Sequence, residues 1–174
     1  MKVYIARHGQ VPHNAQKEYN NENQDLTELG IEQAKELSKK ISNIDYELII
    51  SSPLIRAVHT AEIIDVKNKP IIIDNRLEER NPGDLNGKPI SCTNREEYWN
   101  FNSKIQYGTS ENMKDFFYRI FEFLDDLKTR DYESILIVAH SGVSKAFSAY
   151  FQGINDGKFL EHGLKNCEIK EYKL

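Results

Sequence analysis

Cysteine is scarce in this 174-residue chain: Cys92 and Cys167 are the two present, and they fit neither a paired metal spacing nor a disulfide framework. Free thiols in an unstapled chain point to a reducing compartment, so the cytoplasm is the expected location. Long apolar runs are absent from the amino-terminal segment. The run before Arg7, Val3 to Ala6, is too short for the core of a signal peptide or for a membrane span. Positive charge is not in excess either. Lys and Arg number 23 against 27 Asp and Glu, a formal net charge of -4, and no Lys/Arg run could line a nucleic-acid stripe. Nucleic acid and membrane are therefore not expected partners, and an anionic ligand has to be held by a few local cations. His, Cys, Asp and Glu form no clear ligand cluster, so neither a metal nor another cofactor is expected.

What is present reads as globular. Charged residues at 29% and hydrophobic ones at 39% fit a soluble profile, and the length suits one domain, residues 1–174, with a core that needs no staple. Val3-Tyr4-Ile5-Ala6 reads as a buried strand delivering Arg7-His8-Gly9 to its carboxyl end. Gly9 there lets the backbone turn sharply with no side chain between it and an anion. A polar stretch from Gln16 to Asp25 reads as an exposed loop. Thr27 then caps an amphipathic helix with Ile31, Ala34, Leu37 and Ile41 at helical spacing. Glu47 to Ile50 reads as a second strand, and Ser51-Ser52-Pro53 opens a helix that carries Arg56 and ends near Asp65.

Pro70 to Ile73 reads as a third strand, its isoleucines typical of one buried on both faces. An irregular loop follows to Pro89, then a short insertion or partial lid at about 90–111, marked by Tyr98, Trp99, Phe101 and Tyr107. Met113, Phe116, Phe117, Ile120, Phe121, Leu124 and Leu127 mark the longest helix, their aromatic stripe facing the core. Ser134 to Ala139 reads as a fourth strand, delivering His140-Ser141-Gly142 before a helix from Val143 to about Phe151. Glu168 to Tyr172 reads as a last strand at an edge. The alternation implies an α/β three-layer sandwich, with a mostly parallel central sheet and helices on both faces.

Candidate site residues fall at equivalent places in that plan. Arg7 and His8 follow the first strand, Arg56 the second, Glu78 and Glu79 the third, and His140 the fourth. Carboxyl ends of parallel strands lie along one edge, so these residues converge on one cleft.

The pattern resembles the histidine phosphatase superfamily, which includes phosphoglycerate mutase-like phosphatases. Arg7-His8-Gly9 with Asn14 is similar to its signature loop, and Leu26 to Gly30 with Gln33-Ala34 to the start of its first helix. Ser51 to Leu54 with Arg56-Ala57 and Thr60-Ala61 is similar to its second motif. Arg76-Leu77-Glu78-Glu79 with Gly83 and Gly87 resembles the acid loop, Val138 to Gly142 the second-histidine motif, and Asn166-Cys167 the lead into the final strand. The resemblance implies that neutral His8 attacks phosphorus and forms a phosphohistidine. It implies that Arg7, Asn14, Arg56 and a protonated His140 cradle the phosphoryl oxygens, and that Glu79 exchanges protons with the leaving group and water. Glu78 is the fallback acid, with Glu18, Glu22 and Asp84 next.

Two departures stand out. Val11 replaces the usual Thr or Ser two residues after the signature glycine. His13, expected as an exposed loop histidine, stands where mutases carry Trp before the signature Asn. That position and the short insertion favour phosphatase over mutase. Metal-independent hydrolysis of a small phosphorylated metabolite is the expected activity, with mutase-type transfer and a non-catalytic phospholigand-binding domain as alternatives. The sequence leaves the oligomeric state open.

Overall fold

The computed structural model describes residues 1–20 and 23–174, so Glu22 lies outside the described residues. In chain order the strands are β1 (Lys2–Arg7), β2 (Ile49–Ser51), β3 (Ile71–Ile73), β4 (Ser134–Ala139) and β5 (Ile169–Lys173). The α-helices are α1 (Pro12–Gln16), α2 (Glu28–Ile41), α3 (Ile55–Ile64), α4 (Arg95–Tyr98), α5 (Met113–Leu127) and α6 (Ser141–Gln152). The sheet order is β3-β2-β4-β1-β5, parallel throughout except for β5, which runs antiparallel to β1.

Alternation along β1 explains the layers. Val3 and Ile5 face one core with Phe116, Phe117 and Ile120 of α5 and Val143 and Phe147 of α6. Tyr4 and Ala6 face the other, with Ala34, Leu37 and Ile41 of α2 and Ala57, Ala61 and Ile64 of α3. Each large side chain buried in this way contributes about 1.5–3 kcal/mol, which sets the helices on the two faces. Helix α2 begins where expected, with Thr27 Oγ1 accepting from the Gly30 amide at 3.0 Å.

Several local expectations are corrected. Strand β3 is an edge, and its Ile72 and Ile73 are 47% and 46% exposed, because one flank has no neighbouring strand. Helix α3 starts at Ile55, after Pro53, since Ser51 is taken into β2. On α5, Phe123 is buried and Phe121 only partly so. The 16–25 segment is not uniformly exposed: Tyr19 is buried, and its amide donates to the Lys88 carbonyl at 2.9 Å. Gly9 is required by packing rather than by an unusual φ. A Cβ there would lie 2.4 Å from the Gly30 carbonyl oxygen, so the signature loop and the start of α2 close on each other backbone to backbone.

Candidate active site

Register fixes which residues meet. Arg7 lies opposite Ala139 and Ser51 opposite Val138, so the carboxyl ends of β1, β2 and β4 are level. His8, Ser52 and His140 leave the sheet side by side, and the two imidazole centroids are 5.1 Å apart. A cavity of about 330 Å³ opens over this edge, lined by Arg7, His8, Asn14, Arg56 and Glu79 together with parts of α1, 90–99 and α6. Arg7, His8 and His140 thus come from strand ends, Asn14 from α1, Arg56 from the first turn of α3, and Glu79 from the loop after β3.

His8 is 3% exposed, more buried than a strand-end position suggested. Its Nδ1 stands 2.6 Å from the Gly9 carbonyl, which can only accept, so Nδ1 carries the hydrogen and Nε2 keeps its lone pair. Burial, then the charges of Arg56 and Arg7, hold the ring well below the usual imidazole range, so His8 is neutral. The Gly9 amide donates to Thr60 Oγ1 at 3.1 Å, and Asn166 Nδ2 to the His8 carbonyl at 3.0 Å. The nucleophile candidate therefore sits on a backbone tied down from both sides.

Arg7 and Arg56 line the same cavity, and the charge of each acts on that ring. Burial pulls the Arg56 guanidinium down to about 10, with Glu79 opposing and Arg7 adding to the shift, which leaves it charged at neutral pH. Arg7 donates through Nη1 to the Leu164 carbonyl at 3.0 Å, while its buried Nε has no partner among the described residues. Asn14 Oδ1 accepts from the Val11 amide and from Asn166 Nδ2, which leaves the Asn14 amide nitrogen as a donor for a ligand.

His140 is fully buried, with Nε2 2.7 Å from Ser52 Oγ and Nδ1 unpartnered among the described residues. Burial first, then Arg56, His8, Arg7 and Arg119, push its pKa well below the imidazole range. The expectation of a protonated His140 is corrected: on the protein's own charges the ring is neutral, and only a bound anion would offset the three arginines around it.

Glu79 is held at the amino end of α6. Its Oε2 accepts from the Gly142 amide at 2.9 Å and its Oε1 from the Arg80 amide at 2.8 Å. Glycine is needed at 142, because a Cβ would fall 2.0 Å from Glu79 Oε1. Glu78 is exposed and lines, with Glu79, Asn75 and Arg119, a second depression but not the main cavity, and Asp84 turns to Thr109. Of the described candidates for the acid, only Glu79 and Glu18 reach the main cavity.

His13 is corrected as well: it is buried, lines the cavity and pairs with Glu18 at 3.2 Å. The sequence reading passed over Lys145, Arg95, Trp99 and Asn166 as site residues, and all four line the cavity. Lys145 is 3% exposed and lowered to about 8 by burial, partly offset by Glu79. A lysine inside the apolar stretch Val143 to Phe151 was the signal available for it. Among the described residues, no group of three or more His, Cys, Asp and Glu side chains is placed to hold a metal ion.

Comparison with known proteins agrees with this geometry. Residues 3–174 match the model of the histidine phosphatase superfamily, branch 1. The chain is 32% identical to a putative phosphoserine phosphatase of Hydrogenobacter thermophilus, over 98% of this chain and 88% of the relative. It is 30% identical to a probable phosphoglycerate mutase of Yersinia pestis, over 97% and 83%. A solved mycobacterial glucosyl-3-phosphoglycerate phosphatase, carrying vanadate, shares the fold at a TM-score of 0.87 and 23% identity, over 98% of this chain and 91% of that one. A β1-end arginine and histidine, an acid after β3 and a second histidine after β4 thus lie in a chain that belongs to the histidine phosphatase superfamily.

Proposed function

We propose that this chain is a phosphatase of small phosphomonoesters that works through a phosphohistidine on His8. The observation that carries the reading is the locked tautomer: Nδ1–H is engaged by the Gly9 carbonyl, so Nε2 keeps its lone pair in a cavity that Arg7 and Arg56 also line. Attack by Nε2 on phosphorus expels the alkoxide, which takes its proton from Glu79, and water activated by Glu79 then releases phosphate from the histidine. Arg7, Arg56, the Asn14 amide and His140 meet the equatorial oxygens, where transition-state charge is spread. A dianion there restores a proton to His140, which then donates rather than merely packs. These cations do the work that Mg²⁺ does in other phosphoryl-transfer sites, so the reaction is metal-independent.

The domain is read as one unit over 1–174, with 90–111 as a partial lid. Ile90, Arg95, Tyr98 and Trp99 of that segment line the cavity, which supports the reading. Hydrolysis is favoured over mutase-type transfer because the segment is short. A cytoplasmic setting belongs to the same proposal. It rests on the two free cysteines, and no described helix is long and apolar enough to cross a membrane.

The test is release of inorganic phosphate from p-nitrophenyl phosphate. Turnover that persists in EDTA and disappears in His8→Ala is expected. A His8→Ala protein with wild-type turnover removes the assignment, and activity lost to EDTA and restored by Mg²⁺ removes the metal-independent part.

A further inference from the structure

Ser52 is wholly buried directly after β2, and its backbone is fixed against β4. Its amide donates to the Val138 carbonyl at 3.0 Å, two residues before His140, and its carbonyl accepts from Ser51 Oγ at 2.9 Å. The side chain has one hydrogen to donate and two lone pairs to offer. The Leu54 amide takes one lone pair in a long contact of 3.4 Å. The other contact of Oγ among the described residues is His140 Nε2, at 2.7 Å. Ser52 thus ends between an amide that can only donate and an imidazole nitrogen that can do either.

One assignment satisfies every group. With the hydrogen on Nε2 and donated to Ser52, the hydroxyl hydrogen would have no acceptor among the described residues, which is costly for a buried group. Nδ1, buried and unpartnered, would then hold a lone pair that repels a phosphoryl oxygen. With Ser52 donating to Nε2, the hydroxyl is satisfied and Nδ1 carries a hydrogen that nothing yet meets. The His140 carbonyl accepts from the Ser144 amide at 3.0 Å, and its ring centroid lies 5.1 Å from that of His8, so the spare N–H belongs to a ring held beside the nucleophile. The two histidines then carry their hydrogens on the same nitrogen for opposite purposes. His8 turns its N–H to Gly9 and keeps a lone pair for phosphorus. His140 turns its lone pair to Ser52 and keeps an N–H for an oxygen.

We propose that Ser52 is a positioning residue for phosphoryl transfer: by donating to Nε2 it fixes His140 as the Nδ1–H tautomer, which donates to an equatorial oxygen of the phosphoryl group. The proposal rests on the phosphatase reading for the phosphoryl group, while the tautomer belongs to the resting protein. A hydroxyl suits this place better than a carbonyl or an amide, because it can turn and accept from Nε2 once a bound dianion restores the second proton. Nδ1–H stays with the substrate in either state.

The experiment reads the tautomer directly. Proton–nitrogen correlation spectra of the protein labelled in histidine, with the His140 signals identified by their loss in His140→Asn, are expected to show a protonated Nδ1 and an unprotonated Nε2 in wild type. Ser52→Ala should release the ring to a mixture or to the Nε2–H form, and Ser52→Thr, which keeps the hydroxyl, should recover the wild-type pattern and rate. Ser52→Ala should lower kcat/KM about tenfold, less than the roughly 10² to 10³ for a transition-state donor removed outright. The factor should be equal for p-nitrophenyl phosphate and an alkyl phosphate, since the ring meets the phosphoryl oxygens and not the leaving group. Within His140→Asn the same serine change should cost less than about twofold, because the hydroxyl acts through the ring. A wild-type His140 with its hydrogen on Nε2 overturns the proposal, as does a Ser52→Ala protein with an unchanged spectrum or a wild-type rate. A loss as large within His140→Asn as in wild type, or a folded Ser52→Thr protein that behaves like Ser52→Ala, also overturns it. Failure of the phosphatase reading would appear separately, as a wild-type protein inert on p-nitrophenyl phosphate.

Discussion

At the scale of the residue, Glu79 is the sharpest case, because its neighbours fix its position independently of its chemistry. The Gly142 and Arg80 amides hold both oxygens, while Glu78 beside it is exposed and does not line the main cavity. If Glu79 protonates the leaving oxygen, Glu79→Gln should slow an alkyl phosphate by about 10² to 10⁴ and p-nitrophenyl phosphate far less, since nitrophenolate leaves without help. Glu78→Gln should leave both rates near wild type. Equal slowing of both substrates in Glu79→Gln would instead mean that the carboxyl only orders the start of α6. Arg7, His8, Arg56, Glu79 and His140 were readable from sequence because each follows a strand end, where chain order alone implies proximity. Ser52 was read as a helix cap, yet its hydroxyl meets His140, a pairing of residues 88 apart in sequence that no local pattern encodes. Trp99 and Arg95 sit in a segment with neither period, and only the folded path brings them to the cleft.

At the scale of the element, the 76–79 turn is carried by α5 rather than by the strand before it. Arg119 of α5 donates to the carbonyls of Arg76 at 2.6 Å, Glu78 at 2.9 Å and Glu79 at 3.3 Å, and Glu111 pairs with its Nε at 2.8 Å. One guanidinium thus gathers the acid loop onto the longest helix. Arg119→Leu should free the turn and lower kcat for an alkyl phosphate by about 10², the scale of a misplacement of about 1 Å, with p-nitrophenyl phosphate affected less. Arg119→Lys should recover part of the loss. Steady-state kinetics that show the same kcat for wild type and Arg119→Leu would assign the arginine to stability alone. The long elements were legible because their periods are unambiguous, as on α5 and α2. Strand β3 was misread because three isoleucines in a row look alike in a central and an edge strand, and only the sheet order separates them. The five-residue α1 escaped because it begins at Pro12 and ends before one apolar repeat is complete.

At the scale of the whole molecule, folding buries His8 and His140 in neutral form beside two arginines, and that couples stability to pH. Both rings are held well below the usual imidazole range, by burial first and then by neighbouring positive charge. In the unfolded chain each takes up a proton near pH 6.5, while the folded chain does not. The unfolded state therefore binds more protons below that pH, and stability rises with pH through the window and falls as pH drops beneath it. Each histidine contributes a slope of about 1.4 kcal/mol per pH unit until its folded pKa is reached. Urea midpoints from about pH 7.5 to about 5.5 should decline below 6.5, above the range where most carboxylates titrate. The His8→Asn, His140→Asn double variant should be flatter. Vanadate or phosphate should also flatten the profile, because an anion between the arginines removes part of the cause of the depressed pKa and lets the folded state take up the proton. A wild-type profile that is level through this window, or one parallel to that of the double variant, would show that the two imidazoles are not held neutral and would remove the electrostatic basis for reading His8 as the nucleophile.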